Sequence, residues 1–370
     1  MANDDNPRAF KHAIDERVVR RYAAALGPAG SAFTADALAG LADLELKARV
    51  KHLSDCLFRH LGSDFPVAMS TLLPLLDTGA ATGAAAVEFA FWPLAQLVED
   101  HGIEHFDVAL PAMKAITRHF SCEFAVRPFV VRYPAAMLKA MHAWAVDPDV
   151  HVRRNASEGL RPRLPWGMRL QRFIEDPGPV IGVLERLRHD PAETVRRSVA
   201  NNLNDIAKDH PDVVLEVLTR WDEDPFAHTL WMKRHALRTL VKAGDARALA
   251  LLGFGRAEVA VEDLRIAAPA YVVGDTLTFS FTLVSTASVP QDLVVDYRVH
   301  FVKANGSRRP KVFKLATLTL QPGERRPFER RQHLRPISTR RYHAGEHAID
   351  VQVNGVASAA APFELRTSVR

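Results

Sequence analysis

The sequence predicts a mainly α-helical chain that ends in an all-β domain, and three observations carry that reading. Apolar residues recur every three or four positions from about Asp15 to Phe254, a motif within that stretch repeats at an offset of 43 residues, and after Gly255 the pattern changes to alternation. The two periods divide the chain into domains 1–255 and 256–370. With 370 residues, 48% hydrophobic and 25% charged, the composition fits two globular domains and excludes a disordered or fibrous chain.

In the first domain, Ala135, Leu138, Met141 and Trp144 share one helical face, as do Val180, Val183, Leu184 and Leu187. Breaks at Tyr133-Pro134, Asp147-Pro148, Asp176-Pro177, Asp190-Pro191, His210-Pro211 and Asp224-Pro225 each predict the start of a new helix, because proline suits a helix's first turn. Asp147-Pro-Asp-Val-His-Val-Arg-Arg-Asn-Ala aligns with Asp190-Pro-Ala-Glu-Thr-Val-Arg-Arg-Ser-Val, and a looser copy runs from Asp224-Pro225 to Lys233-Arg234-His235-Ala236. An Asp-x-x-Val-Arg-x-x-Ala core at this period resembles HEAT-like repeats, helix pairs that stack into an α-solenoid.

In the second domain, Thr276–Leu283, Leu293–Phe301, Val312–Leu320 and His347–Val353 read as strands, divided by Gly274-Asp275, Asn305-Gly306, Pro322-Gly323 and Asn354-Gly355 turns. About seven such strands make an immunoglobulin-like sandwich, with Tyr342 before Gly345 as a candidate tyrosine corner.

Lys and Arg total 48 against 43 Asp and Glu, a formal net charge of +5. Residues 1–255 hold 31 basic and 32 acidic residues, whereas 256–370 hold 17 and 11, so the whole excess lies in the second domain. Between Arg308 and Arg341 stand eleven Arg or Lys and two Glu, including the pairs Arg308-Arg309, Arg325-Arg326, Arg330-Arg331 and Arg340-Arg341. Such density predicts a phosphate-binding surface; the plainer alternative is a solubilising face. Two cysteines, Cys56 and Cys122, are too few for a disulfide framework or a Cys-rich zinc site, which fits a reducing cytoplasm. No basic N-terminal run followed by an apolar one marks a secretory signal. The most apolar stretch, Thr78 to Val98, is broken by Glu88 and Pro93, short of the ~18 residues of a membrane helix.

Four features carry candidate chemistry. His101-Gly-Ile-Glu-His105 matches the H-x-x-E-H zinc pattern, but Gly102 weakens the helix and no third ligand is evident, so no metal is expected. Arg154, Glu158 and Arg161, spaced by four and three, fall on one face of the helix after Asp147-Pro148, with Trp166 a turn or so beyond. Two arginines beside an aromatic suit a nucleic-acid groove, against the alternative of a solvated face with internal ion pairs. Asp205 lies eight residues after Arg197 and four after Asn201, on the corresponding face one repeat later; its plainer reading is a hydrogen bond to Asn201 or Asn202. Glu123 falls in the first turn of a helix that Ser121 would cap.

Ser121-Cys-Glu-Phe-Ala-Val-Arg-Pro-Phe129, Val152-Arg-Arg-Asn-Ala-Ser-Glu-Gly-Leu-Arg-Pro-Arg-Leu-Pro-Trp166, Val195-Arg-Arg-Ser-Val-Ala-Asn-Asn-Leu-Asn-Asp205 and Lys233-Arg-His-Ala-Leu-Arg238 with Gly253-Phe254 occur in this order. Together they resemble the AlkC-type family of bacterial alkylpurine DNA glycosylases, relatives of the AlkD-like HEAT-repeat enzymes, over roughly residues 10–254. A subset of that family carries a C-terminal immunoglobulin-like domain. The resemblance implies excision of cationic N3-alkylated bases, chiefly 3-methyladenine, from duplex DNA without base flipping. It places Glu123 and Asp205 at the glycosidic bond with Glu158 beside them, and Arg154, Arg161 and Trp166 around the lesion.

Because a base alkylated at N3 is already cationic, the reaction needs an anion near C1′ and a positioned water rather than a general acid. Asp205 is expected to orient that water, helped by Glu123. Arg197, Lys233, Arg234, Arg238 and Lys242 are expected to hold phosphates, as are Arg308, Arg309, Arg325, Arg326, Arg330, Arg331, Arg340 and Arg341 in the sandwich, which is expected to close over the DNA. The expected protein is a cytoplasmic monomer, associated with the nucleoid when DNA-bound, that uses no cofactor and acts as a monofunctional glycosylase on alkylated double-stranded DNA. The alternatives are a non-catalytic HEAT-repeat scaffold binding DNA or protein and, more distantly, a zinc hydrolase built on His101 and His105.

Overall fold

A computed structural model of the chain describes residues 9–79, 89–337 and 341–367. It packs as two compact units, Met1–His210 and Pro211–Arg370.

The first unit is helical. Each repeat starts where the sequence breaks, though not always on the proline itself. Pro134 and Pro211 are first residues of helices Pro134–Trp144 and Pro211–Glu223, and Pro177 is the cap of Gly178–Leu187. Helix Val150–Glu158 starts two residues past Pro148, where the Asp149 carboxylate accepts from the His151 and Val152 amides. Helix Glu193–Ile206 likewise starts two residues past Pro191, and Thr229–Ala236 four past Pro225.

The recurring Asp-Pro and Arg pair has a physical explanation. Arg153 donates to the Asp190 carboxylate of the next repeat through Nε at 2.6 Å, and to the carbonyls of Asp147 and Pro148 in its own repeat. Arg196 donates to the carbonyls of Asp190 and Pro191. The first arginine of each motif pair thus satisfies the loop that opens its own helix, and Arg153 also ties two repeats together. Val152, Ala156, Val195, Val199, Ala200 and Leu203 are buried between the motif helices.

The second unit opens with helices Pro211–Glu223, Thr229–Ala236, Arg238–Ala243 and Ala246–Leu251. Nine strands follow among the described residues: β1 Val259–Ile266, β2 Ala270–Val272, β3 Thr276–Ser285, β4 Gln291–Val302, β5 Arg308–Leu320, β6 Arg325–His333, β7 Gly345–Val353, β8 Val356–Ala357 and β9 Ala361–Arg366. They form a three-stranded sheet, β1-β3-β6, and a second sheet ordered β2-β9-β7-β4-β5, with β8 on β7. Alternation turns Leu277, Phe279, Phe281 and Leu283 of β3 and Val295, Tyr297, Val299 and Phe301 of β4 into one core. Tyr342 joins that core, edge-on to Phe301. The helices meet the sheet at two glycines: a Cβ on Gly355 would lie 2.5 Å from the Gly244 carbonyl oxygen, and both residues have positive φ.

Strand β6, Arg-Arg-Pro-Phe-Glu-Arg-Arg-Gln-His, has no alternating apolar run, and so does not read as a strand in the sequence. It forms because β3 supplies nine register partners, with Phe328 stacked on Phe281 and Gln332 accepting from the Tyr297 hydroxyl on the inner face. Both basic strands, β5 and β6, lie at sheet edges.

Among the described residues no helix is long and apolar enough to cross a membrane; much of the Thr78 to Val98 stretch lies outside them.

Candidate active site

Four segments of the first unit bring the charged candidates into one row. Glu123 sits in the turn before helix Val126–Arg132, Arg154 and Glu158 on Val150–Glu158, Arg161 just past that helix, and Asp205 near the end of Glu193–Ile206. Arg154 donates to Glu123 at 2.9 Å and lies 3.7 Å from Glu158. Arg161 bridges Glu158 at 2.7 Å and Asp205 at 2.8 Å. Lys208 completes the row by donating to the other Asp205 oxygen at 2.8 Å. Three carboxylates therefore alternate with three cations, and the Ser198 hydroxyl donates to the second Glu158 oxygen at 2.6 Å.

Burial gives the row its character. Asp205 is 1% exposed, and Glu158 and Arg161 are also buried. Desolvation opposes the charge on Arg154 and Arg161, but the adjoining carboxylates outweigh it and raise both pKa values: Glu158 and Glu123 for Arg154, Glu158 and Asp205 for Arg161. Beside Glu123 and Arg154 opens a cavity of about 400 Å³ walled by Phe89, Phe120 and Phe124. Asp205 does not line it.

The geometry corrects three local readings. Arg161 does not share a helix face with Arg154 and Glu158: the helix stops at Glu158 and caps at Gly159, in keeping with the poor fit of α geometry before Pro162. The Arg161 side chain reaches back instead. Ser121 caps no helix but donates to Glu123 at 2.9 Å. Asp205 bonds Arg161 and Lys208 rather than Asn201 or Asn202; Asn202 donates to the Ser157 carbonyl and so ties the repeats.

Trp166 is 73% exposed and holds φ at +66°, a left-handed conformation that a bulky residue rarely adopts. Two residues that no local sequence pattern singles out hold its loop. Arg127, fully buried, donates to the carbonyls of Gly159, Arg161 and Met168 at 3.0, 2.9 and 2.6 Å. Burial, then the nearby Arg161, depresses the Arg127 pKa to about 10. Lys47 donates to the Trp166 carbonyl at 2.9 Å and lies over the indole at 5.8 Å. The only sequence signal for Arg127 is its place in the Ser121–Phe129 motif; Lys47 gives none, because it stands 119 residues from Trp166.

The other cations are distributed differently. Lys233 is buried, its ammonium between both oxygens of Asp222, which makes it a structural ion pair rather than an outward charge. Arg197 pairs with Glu193 on its own helix, and Arg238 donates to the His235 carbonyl. Arg234 and Lys242 are exposed. In the sandwich Arg308, Arg325 and Arg326 pair with Glu346, Glu262 and Glu324, while Arg309, Arg330, Arg331 and Arg341 are exposed. Arg340 lies outside the described residues.

The two histidines of the zinc pattern do not share a helix turn. Helix Trp92–His101 ends at the first, and His105 caps the next helix, Phe106–Thr117. His101 stacks on Phe58 and His105 on Phe65. Asp55, Asp100 and His101 do bring ligand atoms within 4.8 Å of one another, but Lys51 pairs with both aspartates and supplies the cation there.

A helical-repeat unit followed by an immunoglobulin-like sandwich is the architecture of a class of DNA alkylation repair proteins, and comparison places the chain in that class. Residues 113–242 match the family described as DNA alkylation repair enzyme, and residues 260–367 match the C-terminal Ig-like domain of the uncharacterised protein YhaZ. The Bacillus subtilis (strain 168) protein YhaZ is 36% identical over 325 residues, 87% of this chain and 88% of its own. The structure of Pseudomonas fluorescens alkylpurine DNA glycosylase AlkC, bound to DNA containing an abasic site analog, superposes with a TM-score of 0.87 at 38% identity, covering 97% of this chain and 99% of that one. The chain belongs to the AlkC-type family of DNA alkylation repair enzymes, in the subset with a C-terminal immunoglobulin-like domain.

Proposed function

We propose that the protein is a monofunctional DNA glycosylase that hydrolyses the N-glycosidic bond of cationic N3-alkylated bases such as 3-methyladenine in duplex DNA, without flipping the base. The observation that carries the reading is the row Glu123–Arg154–Glu158–Arg161–Asp205, which interleaves three carboxylates with two arginines in a largely buried site. A cationic base leaves unaided, so the barrier is the oxocarbenium-like sugar, and fixed anions lower it. Asp205 supplies the anion and orients the water. Lys208, the more exposed of its two partners, gives way as the cationic sugar arrives. Glu123, at the rim of the aromatic cavity, assists, and Glu158 holds Arg154 and Arg161 in place. Trp166, projecting from its braced loop, packs against the duplex beside the lesion.

The AlkC relative is bound to DNA containing an abasic site analog, which supports DNA as the partner of this chain. Incubation with duplex DNA containing 3-methyladenine tests the reading: the wild type releases free base and Asp205→Asn does not. Binding without release would establish the scaffold alternative. Borohydride traps no covalent adduct if the enzyme is monofunctional, because the Lys208 ammonium serves Asp205 rather than the sugar.

A further inference from the structure

Strand β4 carries a buried carboxylate that the glycosylase site does not use. Alternation sends Val295, Tyr297 and Val299 into the sandwich core, which leaves Asp296 on the opposite face, where the sheet and helices Thr229–Ala236 and Arg238–Ala243 together line a pocket. Asp296 is only 4% exposed, yet it has no hydrogen-bond or ion-pair partner among the described residues. Its register partner on β5 is Lys314, set there by a bulge that skips Leu315.

A buried, unpartnered carboxylate is costly unless something donates to it. Asp296 lines a pocket of about 380 Å³, inside the ~300–1,000 Å³ range of small-molecule sites. The walls include Phe254, Leu252 and Val294, and Arg234, Lys242 and Lys314 bring positive charge. The pocket therefore offers three things at once: an acceptor facing inward, an apolar and aromatic wall, and cations for an anionic group.

We propose that this pocket binds a nucleotide unit, with the heteroaromatic base against Phe254, an N–H edge of the base donating to Asp296, and the phosphate held by Lys314 and Lys242. A carboxylate accepts best from two parallel donors, so a guanine edge, with its ring N–H and exocyclic amine, fits better than thymine. The pocket is independent of the glycosylase site, since every residue in it belongs to the second unit.

The test is calorimetric titration of the full chain with dGMP, dTMP, deoxyguanosine, inorganic phosphate and a short single-stranded oligonucleotide, repeated on Asp296→Leu and Lys314→Gln. Leu replaces an unpaired buried charge with an apolar side chain of similar size, so the fold survives, which an unchanged or raised Tm verifies. Saturable dGMP binding, stronger than dTMP or deoxyguanosine, is expected. Asp296→Leu weakens it about tenfold while phosphate binding holds or tightens, and Lys314→Gln weakens both. Mononucleotide binding identifies a free nucleotide as the ligand; binding of the oligonucleotide alone identifies a unit within a strand. If neither binds, or if Asp296→Leu tightens dGMP, the carboxylate merely repels phosphate and the proposal fails.

Discussion

A carboxylate that is 1% exposed needs permanent counter-charge, and Asp205 has two cations, Arg161 and Lys208, at 2.8 Å each. Removing a partner from such a pair costs about 3–5 kcal/mol, because the remaining charge stays buried. Arg161→Ala is therefore expected to lower the denaturation midpoint sharply and to abolish excision. Lys208→Ala, at a more exposed position, should do little to stability, and a drop comparable to that of Arg161→Ala would show that Lys208 is a structural partner rather than a displaceable one. Arg127 is a different case: among the described residues its guanidinium pairs with no carboxylate and serves three backbone carbonyls. Arg127→Met strands those acceptors, at a cost of about 3 kcal/mol or more. The loop it braces carries Trp166, so the same variant should also change indole fluorescence and excision rate.

At the scale of elements, the helix Val150–Glu158 depends on Gly159 at its end. A Cβ there would lie 2.6 Å from Val126 Cγ2 and 3.0 Å from the Asn155 carbonyl. Gly159→Ala should cost about 1–3 kcal/mol in a melting experiment and displace Arg161, lowering excision with it. The edge strands β5 and β6 raise a separate question, since charge on an edge also blocks strand addition by other chains. Arg309 and Arg331 are the informative pair, exposed on different strands. If they contact phosphate, converting both to Gln should flatten the slope of log Kd against log salt by about 0.9 per residue lost, measured by anisotropy on duplex DNA. An unchanged slope would leave them as edge protection.

For the whole molecule, the unit boundary at His210/Pro211 matters for how the sandwich is studied. Deleting residues 258–370 would cut through the second unit, where Asn354 donates to the Gly255 carbonyl and Gly355 packs on Gly244, so charge substitutions are the cleaner probe. The same unit carries a pH signature. Burial raises the Asp296 pKa to about 6, against the pull of Lys314 and Lys242 and beside Arg234 and Arg238 in the pocket. The folded state holds that proton more tightly than the unfolded one, so the stability this group contributes is complete below about pH 4 and is lost as pH rises through about 6. Asp296→Leu should thus gain more Tm over the wild type near neutral pH than in acid; an equal gain at both would show that the carboxyl is not displaced.

The sequence by itself determined the helical repeats, the change of period near residue 255 and the identity of the charged candidates, because spacing along one chain encodes helical faces, strand faces and breaks. Even the family was legible, in four ordered motifs. Tertiary structure alone decided how those charges pair. Arg161 leaves its helix and reaches back to Glu158 and Asp205, Lys233 turns in to Asp222, and Arg127 and Lys47 brace Trp166 across distances in sequence that no local pattern records. Strand β6 was equally silent until β3 supplied its register. Periodicity is a property of neighbours along the chain, whereas ion pairs and edge strands depend on segments that only folding brings together.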